Sequence, residues 1–302
     1  MDNRIVTAQE YDFAALRGAV YAIKTAFPFV RLRTVGKSVQ GRDLFALEFG
    51  HPEASKVLYT AAFHGSEHIT CPVLLRFCEK VCRAVGESGE VAGIQVRHAI
   101  QGRGMIIIPM VNPDGCEINI HGEAGAGEAG AKLKRLCGGD FRHWNANARG
   151  VDINHNFDAG FEILQKMEQE SGIYGPGPRQ YGGKSPESEP ETAALTALCR
   201  KEKIKHVLAL HAQGEEIYWR YGDETPPKAQ RMAEIFAAST GYALEAPIGL
   251  ASHGGFKDWF IKERHKPGFT FELGKGENPL PACMLDEIYE RVEEALMLAA
   301  IM

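Results

Sequence analysis

The chain has 302 residues, with 34 Lys and Arg against 39 Asp and Glu, a formal net charge of −5. Hydrophobic residues make up 44% and charged residues 24%, which excludes a disordered or collagen-like chain. The acidic balance argues against general nucleic-acid binding, because phosphate contacts need clustered Lys and Arg. Phe13, Leu16, Val20, Ile23 and Phe27 recur at helical spacing and Pro28 stops the pattern, so residues 9–27 predict a helix. Residues 29–35 and 43–49 read as strands, with turn chemistry between them at Gly36-Lys37-Ser38 and Gly41-Arg42. Val57–Phe63 reads as a short buried strand, and 72–85 as a helix with Pro72 in its first turn. Met105–Val111 is a further buried strand by its Ile content, and Gly122–Gly130 a surface loop. Ser188 and Glu191 have capping-box spacing and open a helix to residue 201. His206–His211 predicts a strand, Lys228–Ser239 a helix and Phe269–Leu273 a strand, and the last helix starts near residue 281. The alternation implies an α/β fold, a twisted, largely parallel (mixed) sheet flanked by helices.

No internal repeat and no Pro- or Ser-rich linker divides the chain, so residues 1–302 are expected to form one catalytic domain. Seven Cys, an odd number with no Cys-x-x-Cys pair, fit reduced thiols better than a disulfide framework. The first residues, with Asp2, Arg4, Glu10 and Asp12, lack the apolar stretch of a secretory signal. The longest apolar runs are too short to span a bilayer. The expectation is a cytoplasmic protein with no membrane and no nucleic-acid partner.

The segment Leu58–His68 carries the most chemistry. An apolar strand delivers His64, Gly65 and Glu67 to its end. Catalytic zinc takes three protein ligands from His and carboxylates and keeps a place for water. On a tight turn the three-residue spacing brings His64 and Glu67 to one ion, and Gly65 lets the backbone bend between them. His211 is the best third ligand, since it also ends an apolar run, and sites in open α/β sheets form beyond such ends. Glu272 ends a third run between Phe271 and Leu273, where a carboxylate is costly to bury without a partner. Asp152 suits the role of acceptor for a ligand imidazole N–H. Each residue taken singly also has a structural use: Glu67 as a helix N-terminal charge, Glu272 as half of an ion pair. Their joint placement at three strand ends points to a metal site. His64-Gly65-Ser66-Glu67-His68 also fits the inverted motif His-x-x-Glu-His, in which His64 and His68 bind zinc and Glu67 is the base. That version needs a helix across all five residues. The two Gly-Lys-Ser triplets at 36–38 and 183–185 lack the earlier Gly of a P-loop.

The chain resembles the zinc carboxypeptidase family in His64-Gly65-Ser66-Glu67, Val111-Asn112-Pro113-Asp114-Gly115, Gly150-Val151-Asp152-Ile153-Asn154, Leu208-Ala209-Leu210-His211 and Phe269-Thr270-Phe271-Glu272-Leu273. Order and spacing agree over most of the chain. The resemblance implies that His64, Glu67 and His211 bind Zn2+ and that Glu272 is the general base and acid. Within the family the chain looks most like bacterial γ-D-glutamyl-meso-diaminopimelate peptidases, through Arg149–Asp152, Tyr181–Glu191 and His211–Trp219. That likeness implies a diaminopimelate-containing muropeptide as substrate.

The departures concern substrate binding. The family's Asn-Arg pair, which grips a terminal carboxylate, is Asn154-His155 here, and His is no substitute for a bidentate guanidinium. The cation that polarises the scissile carbonyl falls at Asn145, with Arg142 and Arg149 nearby. The family's Tyr falls at Leu250. Asn145, Asn154 and His155 are therefore the expected substrate contacts. A carboxypeptidase trimming ordinary peptides, a related zinc amidohydrolase and a non-catalytic binding protein are the alternatives.

Overall fold

A computed structural model describes residues 4–302. Its strands in chain order are β1 (Arg31–Lys37), β2 (Asp43–Gly50), β3 (Lys56–Ala61), β4 (Glu90–Val91), β5 (Ile94–Gln95), β6 (Gly104–Ile108), β7 (Ile204–His211), β8 (Glu216–Tyr218), β9 (Ala243–Glu245) and β10 (Gly268–Glu272). The helices are α1 (Phe13–Ala26), α2 (Thr70–Glu87), α3 (Val96–Ala99), α4 (Pro113–His121), α5 (Gly130–Leu136), α6 (Phe161–Glu170), α7 (Pro190–Lys201), α8 (Lys228–Thr240), α9 (Phe256–Arg264) and α10 (Leu285–Ile301). Eight strands form one sheet in the order β1-β2-β6-β3-β7-β10-β8-β9. Its centre, β6-β3-β7-β10, is parallel, and antiparallel pairs lie outside it. The expected mixed, largely parallel sheet is what forms.

The central strands are apolar on both faces because both faces are covered. Along β3, Val57, Tyr59 and Ala61 face one layer with Leu74 and Phe77 of α2, Phe236 of α8 and Leu296 of α10. Leu58 alternates to the other layer, with Leu195 and Leu198 of α7 and Phe256, Trp259 and Phe260 of α9. The Tyr59 hydroxyl donates to the Leu296 carbonyl at 2.9 Å, so its burial leaves no orphaned donor.

Three local expectations change. Gly122–Gly130 runs into a 3-10 turn and α5, and Ala126 packs in a small cluster with Trp144 and Phe141. Ser188 does not cap α7. The cap position is Glu189, Ser188 Oγ donates to the Glu189 carboxylate at 3.0 Å, and Glu191 accepts from the Val39 amide at 3.0 Å. Glu191 is then the second helical residue, and its carboxylate has been taken by the turn at Val39, which breaks the reciprocal box. The last helix begins at Leu285, after a short turn at Ala282–Met284. Among the described residues no helix is long and apolar enough to cross a membrane.

Candidate active site

Strands β3, β7 and β10 lie side by side and parallel, with Ala61 opposite Leu210 and His211 opposite Glu272. Their C-terminal ends are therefore level, and whatever follows each strand meets the others. Past β3 the chain turns at Ala62, whose φ of 52 is left-handed. Asn112 secures the turn, donating from its amide nitrogen to the Phe63 and Asn145 carbonyls at 2.9 and 3.0 Å. A 3-10 turn at Gly65–Glu67 then returns Glu67 beneath His64. Gly65 has no alternative, because a Cβ there would lie 2.3 Å from the Gly115 carbonyl and 2.5 Å from that of Trp144.

Two imidazoles converge on one carboxylate. His64 Nδ1 is 2.8 Å from Glu67 Oε1, and His211 Nδ1 is 3.0 Å from Oε2. His64 Nε2 is 3.1 Å from Asp152 Oδ1. Burial by itself raises the Glu67 pKa, but the two imidazoles outweigh it and hold it at about 2. Burial likewise pulls His64 down, and the charges of Glu67 and Asp152 lift it well above its ordinary value. The ring of His211 is stacked on Phe63 at 5.1 Å, and its Nε2 is buried with no hydrogen-bond partner. Its polar engagement is therefore through Nδ1, into the cluster.

One ligand atom from each of His64, Glu67 and His211 lies within 4.8 Å of the others, close enough to hold one ion. Two nitrogens and a carboxylate suit zinc. An acceptor at Nε2, as Asp152 provides, would leave His64 its Nδ1 lone pair for an ion. The donor set and its support thus fit a zinc ion. A second group, Asp12, Glu117 and His121, is already committed to joining helices. Asp12 caps α1 through Ala15 N at 2.8 Å, and Glu117 accepts from Phe13 N at 2.7 Å. His68 is buried and outside the first group, and the 3-10 turn cannot present His64 and His68 on one helical face, which removes the inverted motif.

Glu272 stands at the end of β10, in register with His211. Burial, then the charge of Glu67, pushes its pKa well above the usual carboxylate range, with Glu216 adding and His64 opposing. Asn145 Oδ1 accepts from Ser66 Oγ at 2.6 Å. Asn145 lines a cavity of about 370 Å³ with Ser66, His143, Arg179, Gln213, Glu277 and Asn278. Asn154 Oδ1 accepts from the Phe256 amide at 3.0 Å and so holds the start of α9. His155 is buried, its Nδ1 2.8 Å from the Gln180 carbonyl and 3.7 Å from Glu168. It serves an internal junction there instead of standing open to a ligand. Leu250 lies in a 3-10 turn at Gly249–Ser252.

Neither arginine anticipated near Asn145 reaches this cavity. Arg142 is exposed and paired with Asp140, and Arg149 lies 3.4 Å from Glu189 beside another cavity. Arg179 does line it, and nothing in its local sequence singles it out. It arrives because the Pro178 carbonyl accepts from the amides of Asn145 and Ala146 at 2.8 and 3.0 Å.

Comparison with known proteins gives a consistent picture. The family described as zinc carboxypeptidase matches residues 19–296. Gamma-D-glutamyl-L-diamino acid endopeptidase 1 of Lysinibacillus sphaericus is 36% identical over 293 residues, covering 95% of this chain and 72% of that protein. Bovine thrombin-activatable fibrinolysis inhibitor shares the fold with a TM-score of 0.72 at 21% identity, over 97% of this chain and 96% of the other. Murein-tripeptide amidase from Escherichia coli shares it with a TM-score of 0.55 at 21% identity, over 90% and 92% of the two chains.

Proposed function

The chain belongs to the zinc carboxypeptidase family and is a zinc metallopeptidase, and from that premise we propose that it hydrolyses the γ-D-glutamyl–diaminopimelate bond of bacterial cell-wall peptides. The observation that carries this reading is the convergence of two imidazole Nδ1 atoms on the two oxygens of Glu67, level with Glu272. His64, Glu67 and His211 would hold the ion. When bound, zinc supplies Lewis-acid polarisation of the scissile carbonyl and acidifies the attacking water. Asp152 keeps the His64 proton on Nε2. Glu272, in register with His211 at the level of the cluster, accepts the proton of the attacking water and returns it to the departing nitrogen. Asn145 and Asn154 contact the substrate.

The choice of substrate is supported by the Lysinibacillus relative, whose name specifies a γ-D-glutamyl-L-diamino acid bond. Residues 1–302 act as one catalytic unit, a reading supported by the eight-stranded sheet, whose first and last strands in sequence are β1 and β10. A cytoplasmic location is supported by seven free cysteines, Cys71 and Cys78 among those buried.

The test combines metal analysis with product masses. Glu67→Gln loses stoichiometric zinc. Glu272→Gln keeps zinc and loses about 10²–10⁴-fold in turnover. A muropeptide containing L-Ala-γ-D-Glu-diaminopimelate yields L-Ala-D-Glu and a free diaminopimelate amine. C-terminal trimming of a random peptide pool, with the muropeptide intact, would replace this reading by an ordinary carboxypeptidase.

A further inference from the structure

We propose that the cavity lined by Ser66, Asn145, Arg179 and Gln213 is the subsite for the acyl-side glutamyl residue, and that Arg179 binds its free α-carboxylate. This rests on the γ-glutamyl reading above. In an α-linked peptide the acyl-side residue spends its main-chain carboxyl on the scissile bond. In a γ-linked glutamyl residue the side-chain carboxyl forms that bond, and the α-carboxylate remains free a few bonds away. A cation on the acyl side of the metal therefore reads the linkage itself.

The placement of the cavity follows from the reaction. Ser66 adjoins Glu67, and Gln213 follows His211 by two positions, so the cavity opens beside the cluster. Glu272 does not line it. The departing nitrogen must lie at Glu272 to take up its proton, which leaves the cavity to the acyl portion. Asn145 supplies no charge, and its Oδ1 is occupied by the Ser66 hydroxyl.

Arg179 supplies the charge. Its guanidinium has no ion-pair or hydrogen-bond partner among the described residues. Its backbone is nevertheless fixed on both sides. Pro178 is bonded to the Asn145 and Ala146 amides, and the Gln180 amide donates to Asp152 Oδ2 at 2.9 Å. An exposed arginine whose backbone is anchored at the cavity rim keeps its planar fork free for a bidentate carboxylate. The other ionisable groups of the cavity, His143 and Glu277, are 3.8 Å apart, and the Glu277 side chain is 87% exposed, where solvent screens it.

The experiment uses the zinc-loaded enzyme and two peptides, L-Ala-γ-D-Glu-diaminopimelate and its analogue with the glutamyl α-carboxylate converted to carboxamide. The wild type is expected to favour the acid by about 10–100-fold in kcat/KM, the worth of a charge-assisted hydrogen-bond pair. Arg179→Gln collapses that ratio toward unity and Arg179→Lys restores part of it, with zinc content unchanged in both. An acid-to-amide ratio that is the same in the wild type and in Arg179→Gln overturns the proposal. If the wild type cleaves neither peptide, the γ-glutamyl reading has failed. Calorimetric binding of L-Ala-D-Glu against its α-amide then still decides on Arg179, since a wild type that binds both equally contradicts the subsite.

Discussion

Asp152 is buried, and its two oxygens serve different partners. Oδ1 meets His64 Nε2 at 3.1 Å and the Asn154 amide at 3.2 Å, while Oδ2 accepts from the Gln180 amide at 2.9 Å. Burial by itself raises its pKa, but the neighbouring His64 and His155 hold the carboxyl far below the usual range, so it is ionised throughout the working pH. Asp152→Asn offers one acceptor and one NH2 group to these donors. With the amide oxygen toward His64, the NH2 confronts the Gln180 N–H, which leaves a buried donor unpaired at a cost of about 1–3 kcal/mol in stability. With the NH2 toward His64, Nε2 must accept, and the ring proton moves to Nδ1, the atom aimed at Glu67. That tautomer cannot ligate. Both arrangements weaken the metal site, and loss of an outer-shell partner of this kind costs about 10–100-fold in affinity, roughly 1.4–2.7 kcal/mol. Zinc affinity measured by competition with a chromophoric chelator, alongside urea unfolding of the metal-free protein, separates the two costs. A variant with reduced stability and unaltered zinc affinity would refute the argument, because Asp152 would then only pin loops and His64 would not ligate through Nδ1.

Gly65→Ala forces backbone at Gly115 and Trp144 to move; we expect loss of stoichiometric zinc, and a variant that retains full zinc would show that the turn tolerates a Cβ. Phe63 is fully buried and stacked on both His211 and Phe256, so Phe63→Ala should cost about 3–5 kcal/mol in urea unfolding; a loss under 1 kcal/mol, on the order of a surface change, would contradict that packing. Burial, assisted by Asp114, pushes the Glu191 carboxyl from 4.5 up to about 7 against the opposing bonds of Val39 and Asn147. The unfolded chain releases this proton at lower pH than the native state. Stability therefore falls as pH rises from about 4.5 to 7, by about 3 kcal/mol from this group. Glu191→Gln should flatten that slope in urea midpoints taken across the window, and an unchanged slope would assign the pH dependence to other groups.

The six longer strands were legible because burial of a run is a local property, whereas β4, β5, β8 and β9, of two or three residues each, are too short to carry a pattern. Runs such as Leu58–Phe63 and His206–His211 state their own burial, and the polar residue that interrupts each run, His64, His211 or Glu272, marks where the strand leaves the core. The helices that escaped notice are short or begin in turn chemistry: α4 opens with Asn112-Pro113-Asp114-Gly115, and α9 follows Gly254-Gly255. Only the tertiary structure decided which ends are level, since the order of β3, β7 and β10 is a matter of long-range pairing. It also decided where individual side chains are engaged. His155 was drawn inward by the Gln180 carbonyl, Glu191 was taken from a capping role by Val39, and Arg179 was carried to the cavity by hydrogen bonds of its backbone neighbours. A metal ligand advertises itself by residue type and by the strand that ends at it. A charge that reaches the same site on a loop does so through backbone bonds to distant segments, and the sequence around it contains no trace of them.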